Sequence, residues 1–386
     1  MKFLNSIKGI VKNYYQSALN THESRIINEI LEIDDFLPIE NKVPYKIQNI
    51  CFVVPEIEKH SGGITSVLRL GTYLSKLGFD VIYASFTEQN INNMIEISKY
   101  NLKDVEGSFR KLSDVINKKF DIIVATSWIS VYYSKKLEGY KVYFVQDYEP
   151  YFFKLSERYL MAKKTYEQGF HIISLGNWNI EQIKKECLSY SRMDWIDFPY
   201  EPKEYENIKR DFSKYRNKRR IKIAVYSKED GKRIPNLLQG ILKKTALELK
   251  KDEIELDILF FGFESKYKPQ IGKNMGKLNK YEMWKLYKEC DFGMVASMTN
   301  ISLVPYEMIS TGLPIIEFKD GSYTYFFEDN TAILIDFNYK TLANKLKYYL
   351  SNPERLESIM INSQKQIGNL SWKHSAEQFA NIIENV

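Results

Sequence analysis

Cysteine is scarce in this sequence, with three residues among 386. Cys51, Cys187 and Cys290 lie in apolar segments, and no two of them have the spacing of a metal site or of a C-x-x-C redox motif. We therefore expect three reduced cysteines in the core and no disulfide framework. No metal ion is implied by the sequence.

Long apolar runs are also missing. No stretch approaches the length that spans a membrane, and no signal peptide with a small-residue cleavage site is recognisable. These absences predict a cytoplasmic protein. Aromatic ladders, zinc-finger spacings and RRM patterns are lacking as well, so we expect no nucleic acid partner.

The net charge of +6 is modest, and its excess is local. One basic cluster covers residues 209–220, and a second lies in the first predicted helix, residues 3–18, where Lys2, Lys8 and Lys12 flank an apolar stripe. An anionic membrane surface or a diphosphate ligand would suit such clusters. The first helix either docks on the body of the protein or makes peripheral contact with a membrane interface.

Strand and helix patterns alternate from residue 47 onward, which predicts an α/β protein built from two βαβ halves. At 386 residues the chain is long enough for two domains, each with its own core. In the first half the predicted strands are 50–54, 81–83, 121–125, 141–145 and 170–174, and a helix covers 64–77. In the second half the predicted strands are 221–226 and 255–261, with a helix at 234–249 between them.

The segment 297–317 is the centre of the predicted site. A buried strand, 292–296, leads into a polar turn in which Asn300 or Ser302 can cap a short helix, 303–311, that Gly312 ends. The first-turn amides, at Ser302 and Leu303, would face the carboxyl edge of the sheet, where a helix N-terminus favours an anion. Glu307 could then accept two vicinal hydroxyls, or it could merely complement the helix dipole.

Other candidate residues follow strands at the same predicted edge. Gly62 and Gly63 would let the backbone approach a ligand, although paired glycines also occur in plain turns. Asp147 and Glu149 crowd the loop after a strand, and they are either site residues or solvated loop acids. Three cations, which are otherwise surface charges, could clamp a diphosphate from two loops: Lys228, Arg233 and Lys277.

Two of these segments resemble a known family. The run 301–314 looks like the nucleotide-sugar motif of retaining GT-B glycosyltransferases of family 4, in which an E-x7-E pair precedes Met and Gly-x-Pro. Glu307 matches the second acid of that pair, whereas Thr299 stands at the position of the first. The Gln-Asp-Tyr-Glu-Pro run at 146–150, the start of the first unit at 55–67 and the Ser-x-x-Pro-x-Glu-Met loop resemble rhamnosyltransferases of the rhamnan-synthesis type.

The resemblance covers residues 47–386 and implies a GT-B fold, with two Rossmann-like domains facing a central cleft. The implied limits are an N-terminal helical extension at 1–45, an acceptor domain at 46–205, a nucleotide-sugar domain at 206–370 and a helix crossing back at 371–386. It further implies a retaining transfer, most simply of L-rhamnose from dTDP-L-rhamnose to a growing bacterial cell-surface polysaccharide or a lipid-linked glycan acceptor.

The resemblance also implies roles for the candidate residues. Glu307 would bind the nucleotide sugar, Arg233 and Lys277 the diphosphate, and the loop with Asp147 and Glu149 the acceptor or the reacting sugar, with these two carboxylates as the catalytic candidates. No Asp-x-Asp motif follows a strand, so we expect a metal-independent reaction without a cofactor. The alternatives are a GT-B enzyme that uses a UDP-hexose and a non-catalytic GT-B-like scaffold at the membrane.

Overall fold

The computed structural model describes residues 24–229 and 231–386. These residues form two parallel sheets, one after the other along the chain. The predicted first helix, 3–18, lies outside the described residues. Residues 24–33 are helical (α1).

The first sheet has the strand order β3-β2-β1-β4-β5-β6-β7, and all its pairs are parallel. Its strands are β1 (Asn49–Val54), β2 (Asp80–Ser85), β3 (Ser108–Lys111), β4 (Lys119–Ala125), β5 (Glu138–Val145), β6 (His171–Leu175) and β7 (Met193–Ile196). The helices between them are α2 (Gly62–Lys76), α3 (Ile91–Asn101), α4 (Trp128–Ser134), α5 (Glu157–Lys164) and α6 (Trp178–Glu186).

The second sheet has the order β10-β9-β8-β11-β12-β13 and is also parallel. Its strands are β8 (Arg220–Tyr226), β9 (Glu255–Phe261), β10 (Lys273–Asn274), β11 (Phe292–Met294), β12 (Ile315–Phe318) and β13 (Ile333–Ile335). The helices of this half are α7 (Pro235–Lys250), α8 (Lys280–Glu289), α9 (Leu303–Ser310), α10 (Tyr339–Ser351), α11 (Pro353–Ile367) and α12 (Trp372–Glu384).

The central strands form because their sequences are continuous apolar runs, as expected where helices cover both faces of a sheet. Residues 50–54 of β1 are all at most 1% exposed. Capping residues fix where the helices begin: the Ser61 hydroxyl accepts from the amide of Ile64, and Asn279 and Glu282 form a capping box on α8. The predicted α/β architecture with two parallel βαβ halves is confirmed.

The chain passes from the first sheet to the second between residues 197 and 219 and returns at its end. Helix α12 packs against α2 and β7 of the first half. There the ring of Phe379 contacts Phe144 at 6.1 Å between centroids, and Gln378 Oε1 accepts from the amide of Asp197. The domain limits stated above remain predictions. All three cysteines are buried and free.

Candidate functional site

The carboxyl ends of the two sheets face each other across a cavity of about 1240 Å³. Parallel α/β sheets bind ligands at this edge because helix N-termini and connecting loops converge there. Every site residue predicted from the sequence lines this one cavity: Gly62, Gly63, Asp147, Glu149, Lys228, Arg233, Lys277, Ser302, Leu303 and Glu307. The structure therefore brings these residues together, while their individual roles stay predictions.

Helix α9 begins close to the predicted position and ends where glycine stops it. Ser302 occupies the N-cap position, but its side chain makes no capping hydrogen bond. Gly312 has a left-handed φ of 77°, and an added Cβ would lie 2.8 Å from the carbonyl oxygen of Ile208. A side chain would therefore be both strained and crowded at this turn.

Glu307 projects from α9 into the cavity and is partly buried. Burial raises the pKa of its carboxyl to about 7, while the hydroxyl of Tyr205 and the charges of Arg69 and Lys280 act in the opposite direction. Nearby Glu204 raises the pKa further. The carboxyl thus titrates near neutral pH in a place where a ligand's hydroxyl groups could reach it.

Asp147, in the loop that follows β5, is held by the opposite half of the molecule. Its Oδ1 accepts from the amide of Asn300 at 3.0 Å, and its Oδ2 accepts from the hydroxyl of Thr299 at 2.9 Å. Lys232 Nζ lies 3.5 Å from the same Oδ2. Since Asp147, Thr299 and Asn300 are at most 8% exposed, this carboxylate serves as a buried link across the cleft.

Asn300 strengthens this link with its side chain. Its Nδ2 donates to the carbonyl oxygens of Gln146 at 2.8 Å and Leu175 at 2.9 Å, both in the first half. Thr299, where the resembling family has a glutamate, is also part of this contact. A glutamate at position 299 would bring a second carboxylate against Asp147, whereas the threonine hydroxyl donates to it.

Glu149 faces the same cavity but is held within the first half alone. Its Oε2 accepts from the amide of Trp128, at the start of α4, at 3.0 Å, and its Oε1 accepts from the hydroxyl of Tyr143 at 3.2 Å. Burial raises the pKa of this carboxyl to about 7, although the Trp128 amide opposes the shift. The protonation of Glu149 can therefore change near neutral pH.

The predicted cations occupy different surroundings. Arg233 is 3% exposed; its Nη1 donates to the carbonyl oxygen of Ala296 at 3.1 Å, and its guanidinium lies over the ring of Tyr226. Lys277 Nζ pairs with Glu264 at 2.5 Å, with the lysine side chain 43% exposed. Lys228 also lies near the Tyr226 ring, 6.0 Å from its centroid.

The paired glycines are not required by packing inside the protein. Neither has a positive φ, an added Cβ at Gly62 would meet nothing within 4 Å, and one at Gly63 would make ordinary contacts with Gln146. The N-terminus of α2 is open toward the cavity at this point. A ligand-facing role for the two glycines therefore remains a prediction.

Sequence reasoning missed a second set of charges in the cavity. Glu204, in the connection between the sheets, accepts from Arg69 Nη2 at 2.6 and 2.7 Å and from Lys280 Nζ at 2.5 Å. These residues come from a linker and two helices, so no local motif marks them. Lys232 was also missed, although it lies in the basic loop 228–233, from which Lys228 and Arg233 were chosen as candidates.

Two further observations concern metals and membranes. Within residues 24–229 and 231–386, no three His, Cys, Asp or Glu side chains are grouped so as to hold a metal ion. Over the same ranges, no helix combines the length and apolar character needed to cross a bilayer.

Comparison with known proteins agrees with this architecture. Residues 49–179 match the family model described as WsaF, N-terminal domain. The O-antigen biosynthesis protein RfbC of Myxococcus xanthus is 23% identical over 271 residues, which are 67% of this chain and 20% of that protein. The match thus spans only a fifth of this relative's length.

Solved structures show the likeness over most of the chain. Anabaena Alr3699/HepE, in complex with UDP and glucose, superposes with a TM-score of 0.69 at 12% identity, covering 88% of this chain and 100% of that one. A glycosyltransferase from Rickettsia africae ESF-5 gives a TM-score of 0.66 at 14% identity, with 88% and 99% covered. This chain therefore has the fold of the GT-B glycosyltransferases.

Proposed function

We propose that this protein is a glycosyltransferase that moves a sugar from a nucleotide-sugar donor to a glycan acceptor during polysaccharide biosynthesis. The observation that carries the proposal is the convergence, in one cavity between two parallel sheets, of the α9 N-terminus, Glu307, Arg233 and Lys277. A helix N-terminus and two cations suit a diphosphate, and a carboxyl one turn along the helix suits hydroxyl groups of the nucleoside to which the diphosphate is attached. The family match to WsaF and the likeness to HepE support the same class of reaction.

In this proposal the second half binds the donor. The first-turn amides of α9 and the side chains of Arg233 and Lys277 hold the diphosphate and stabilise the negative charge that grows on it as it leaves. Glu307 accepts hydrogen bonds from hydroxyl groups of the nucleoside. Asp147 acts by joining the two halves around the donor, and Glu149 faces the reacting sugar or the acceptor.

The donor we propose first is dTDP-L-rhamnose, with retention of configuration, because the motifs at 146–150 and 301–314 resemble rhamnosyltransferases. A UDP-hexose is the second candidate, and a specific feature favours it. A carboxylate such as Glu307 can accept both vicinal hydroxyls of a ribose, whereas the deoxyribose of dTDP offers only one. HepE, solved with UDP and glucose, has the same fold.

We further propose that the acceptor is a cell-surface or lipid-linked glycan bound from the side of the first sheet, and that the reaction runs in the cytoplasm without metal or cofactor. Peripheral membrane contact through residues 1–20 belongs to this proposal, although these residues lie outside the described ranges.

A panel of nucleotide sugars tests the proposed activity. Purified protein is incubated with dTDP-L-rhamnose, UDP-glucose, UDP-N-acetylglucosamine and GDP-mannose, with EDTA in one arm, and the released nucleoside diphosphate is measured. We expect release from dTDP-L-rhamnose to exceed every other donor at least roughly tenfold, with no loss in EDTA. Preference for a UDP-hexose would select the second candidate. No release from any donor, with or without added glycan, would favour the non-catalytic scaffold.

A further inference from the structure

Glu317 is a fully buried carboxyl that no part of the proposed reaction uses. It lies on β12, behind the loop 297–302 that carries the donor side of the cavity, and it is 0% exposed. Its Oε1 accepts from the hydroxyl of Ser297 at 2.6 Å, and its Oε2 accepts from the amide of Ser297 at 3.2 Å. A buried ionisable group is costly unless it is paired, so its presence calls for a physical reason.

The backbone carbonyl group of Ser297 is also hydrogen-bonded. The Ser297 carbonyl oxygen accepts from the amide of Ser322 at 2.7 Å and from its hydroxyl at 3.2 Å. An added Cβ at Gly321 would lie 2.4 Å from that same carbonyl oxygen, so the two segments are in close contact. Glu317 and Ser322 together fix the residue from which the donor loop departs.

Arg233 contacts the same junction from another direction. Its Nη1 donates to the carbonyl oxygen of Ala296, the residue before Ser297. Arg233 lines the cavity, whereas Glu317 lies behind it. Burial raises the pKa of Glu317 to about 7, while its hydrogen bonds with Ser297 and the positive charge of Arg233 oppose the shift. Tyr323 is a further ionisable neighbour of Glu317.

We propose that Glu317 is a positioning residue for the donor diphosphate: it anchors Ser297, and thereby fixes the adjoining carbonyl oxygen of Ala296 that holds the buried guanidinium of Arg233 at the cavity wall. The inference rests on the proposed function, because Arg233 is taken to bind the diphosphate. Without the two hydrogen bonds from Ser297 to Glu317, the Ala296 carbonyl oxygen would no longer be held in position, and the guanidinium that donates to it would lose its fixed place. Glu317 would thus influence the phosphate groups without touching them.

The test compares how tightly nucleosides and their diphosphates bind to variants of the full chain. Glu317→Gln keeps the side-chain size and one acceptor oxygen but removes the charge. We expect its affinity for dTDP and UDP to fall roughly tenfold while its affinity for thymidine and uridine changes less than about twofold. Equal losses for nucleoside and diphosphate would show a merely structural role and overturn the proposal, as would a gain in diphosphate affinity.

A double-mutant cycle keeps the test decisive if the single variant folds poorly. If Glu317 acts through Arg233, the double variant Arg233→Gln/Glu317→Gln should bind diphosphate no more weakly than Arg233→Gln alone. Additive losses would overturn the proposal. If the unmodified protein binds dTDP and UDP no better than the nucleosides, the donor site itself is wrong, and the proposal fails with it. That failure can be told apart from a failure of the Glu317 proposal alone, because it is measured on the unmodified protein.

Discussion

Replacing Asp147 with alanine is expected to lower kcat/KM for sugar transfer by about two to three orders of magnitude. Its carboxylate holds the Thr299 hydroxyl and the Asn300 amide and pairs with Lys232, all from the opposite half. A hydrogen bond to a charged group contributes about 1.5–3 kcal/mol, so losing two of them weakens the link across the cleft by roughly 3 kcal/mol or more. Initial rates at varied donor concentration measure the loss.

Two further variants distinguish the loss of this link across the cleft from a general loss of protein stability. Asp147→Asn keeps one acceptor oxygen and should lose only about tenfold in kcat/KM. Asp121→Ala is the matched control. The Asp121 carboxylate likewise accepts two hydrogen bonds, from the backbone amides of Gln48 and Asn49, but it lies at the opposite edge of the first sheet. If Asp121→Ala reduced kcat/KM as much as Asp147→Ala, the loss would reflect folding and not the link across the cleft.

Replacing Glu307 with glutamine is expected to weaken nucleotide binding by roughly one to two orders of magnitude, because a carboxylate is a stronger acceptor of ligand hydroxyls than an amide. Isothermal titration with UDP and dTDP measures the change. Glu357→Gln, an exposed helical acid on α11, is the charge-matched control and should bind like the unmodified protein. Unchanged affinity together with a lowered Tm would mean that Glu307 only complements the helix dipole.

The Glu307 carboxyl is also expected to make ligand affinity depend on pH in a defined direction. The pKa of Glu307 is raised to about 7, so the carboxyl is partly protonated at neutral pH. A ligand that donates to the ionised form binds more tightly as the pH rises from 6 to 8. Titration of the ligand's own phosphate occurs with both proteins and cancels in the comparison. Glu307→Gln should therefore remove the part of the pH dependence that belongs to this carboxyl.

Much of the fold follows from local sequence pattern. The run at 50–54 is apolar throughout, which is the signature of a strand covered on both faces, and it forms β1. Helix α9 was predicted to within one residue, because Pro305 suits a first turn and Gly312 supplies a left-handed stop. The predicted strand at 292–296 is longer than β11, which ends at Met294 as the chain turns into the donor loop.

Short strands and distant contacts could not be predicted in this way. β7, β10 and β13 have two to four residues each, too few to show periodicity. Most of the cavity residues were found because they follow a strand or match a motif of the resembling family, and parallel strands end at one edge. The order of the strands in each sheet and the meeting of the two sheets are not local properties. For this reason the sequence did not reveal that Lys232 pairs with Asp147 or that Glu204 joins Arg69 to Lys280.

The most direct measurement is a crystal structure of the full chain with bound dTDP or UDP. We expect the diphosphate to lie within hydrogen-bond distance of the first-turn amides of α9 and of Arg233, with a sugar hydroxyl of the nucleoside on the Glu307 carboxylate. That arrangement would place the donor in the second half, facing Glu149 across the cavity. A nucleotide bound only to the first sheet, without contact to α9 or Glu307, would contradict the proposed site and the function built on it.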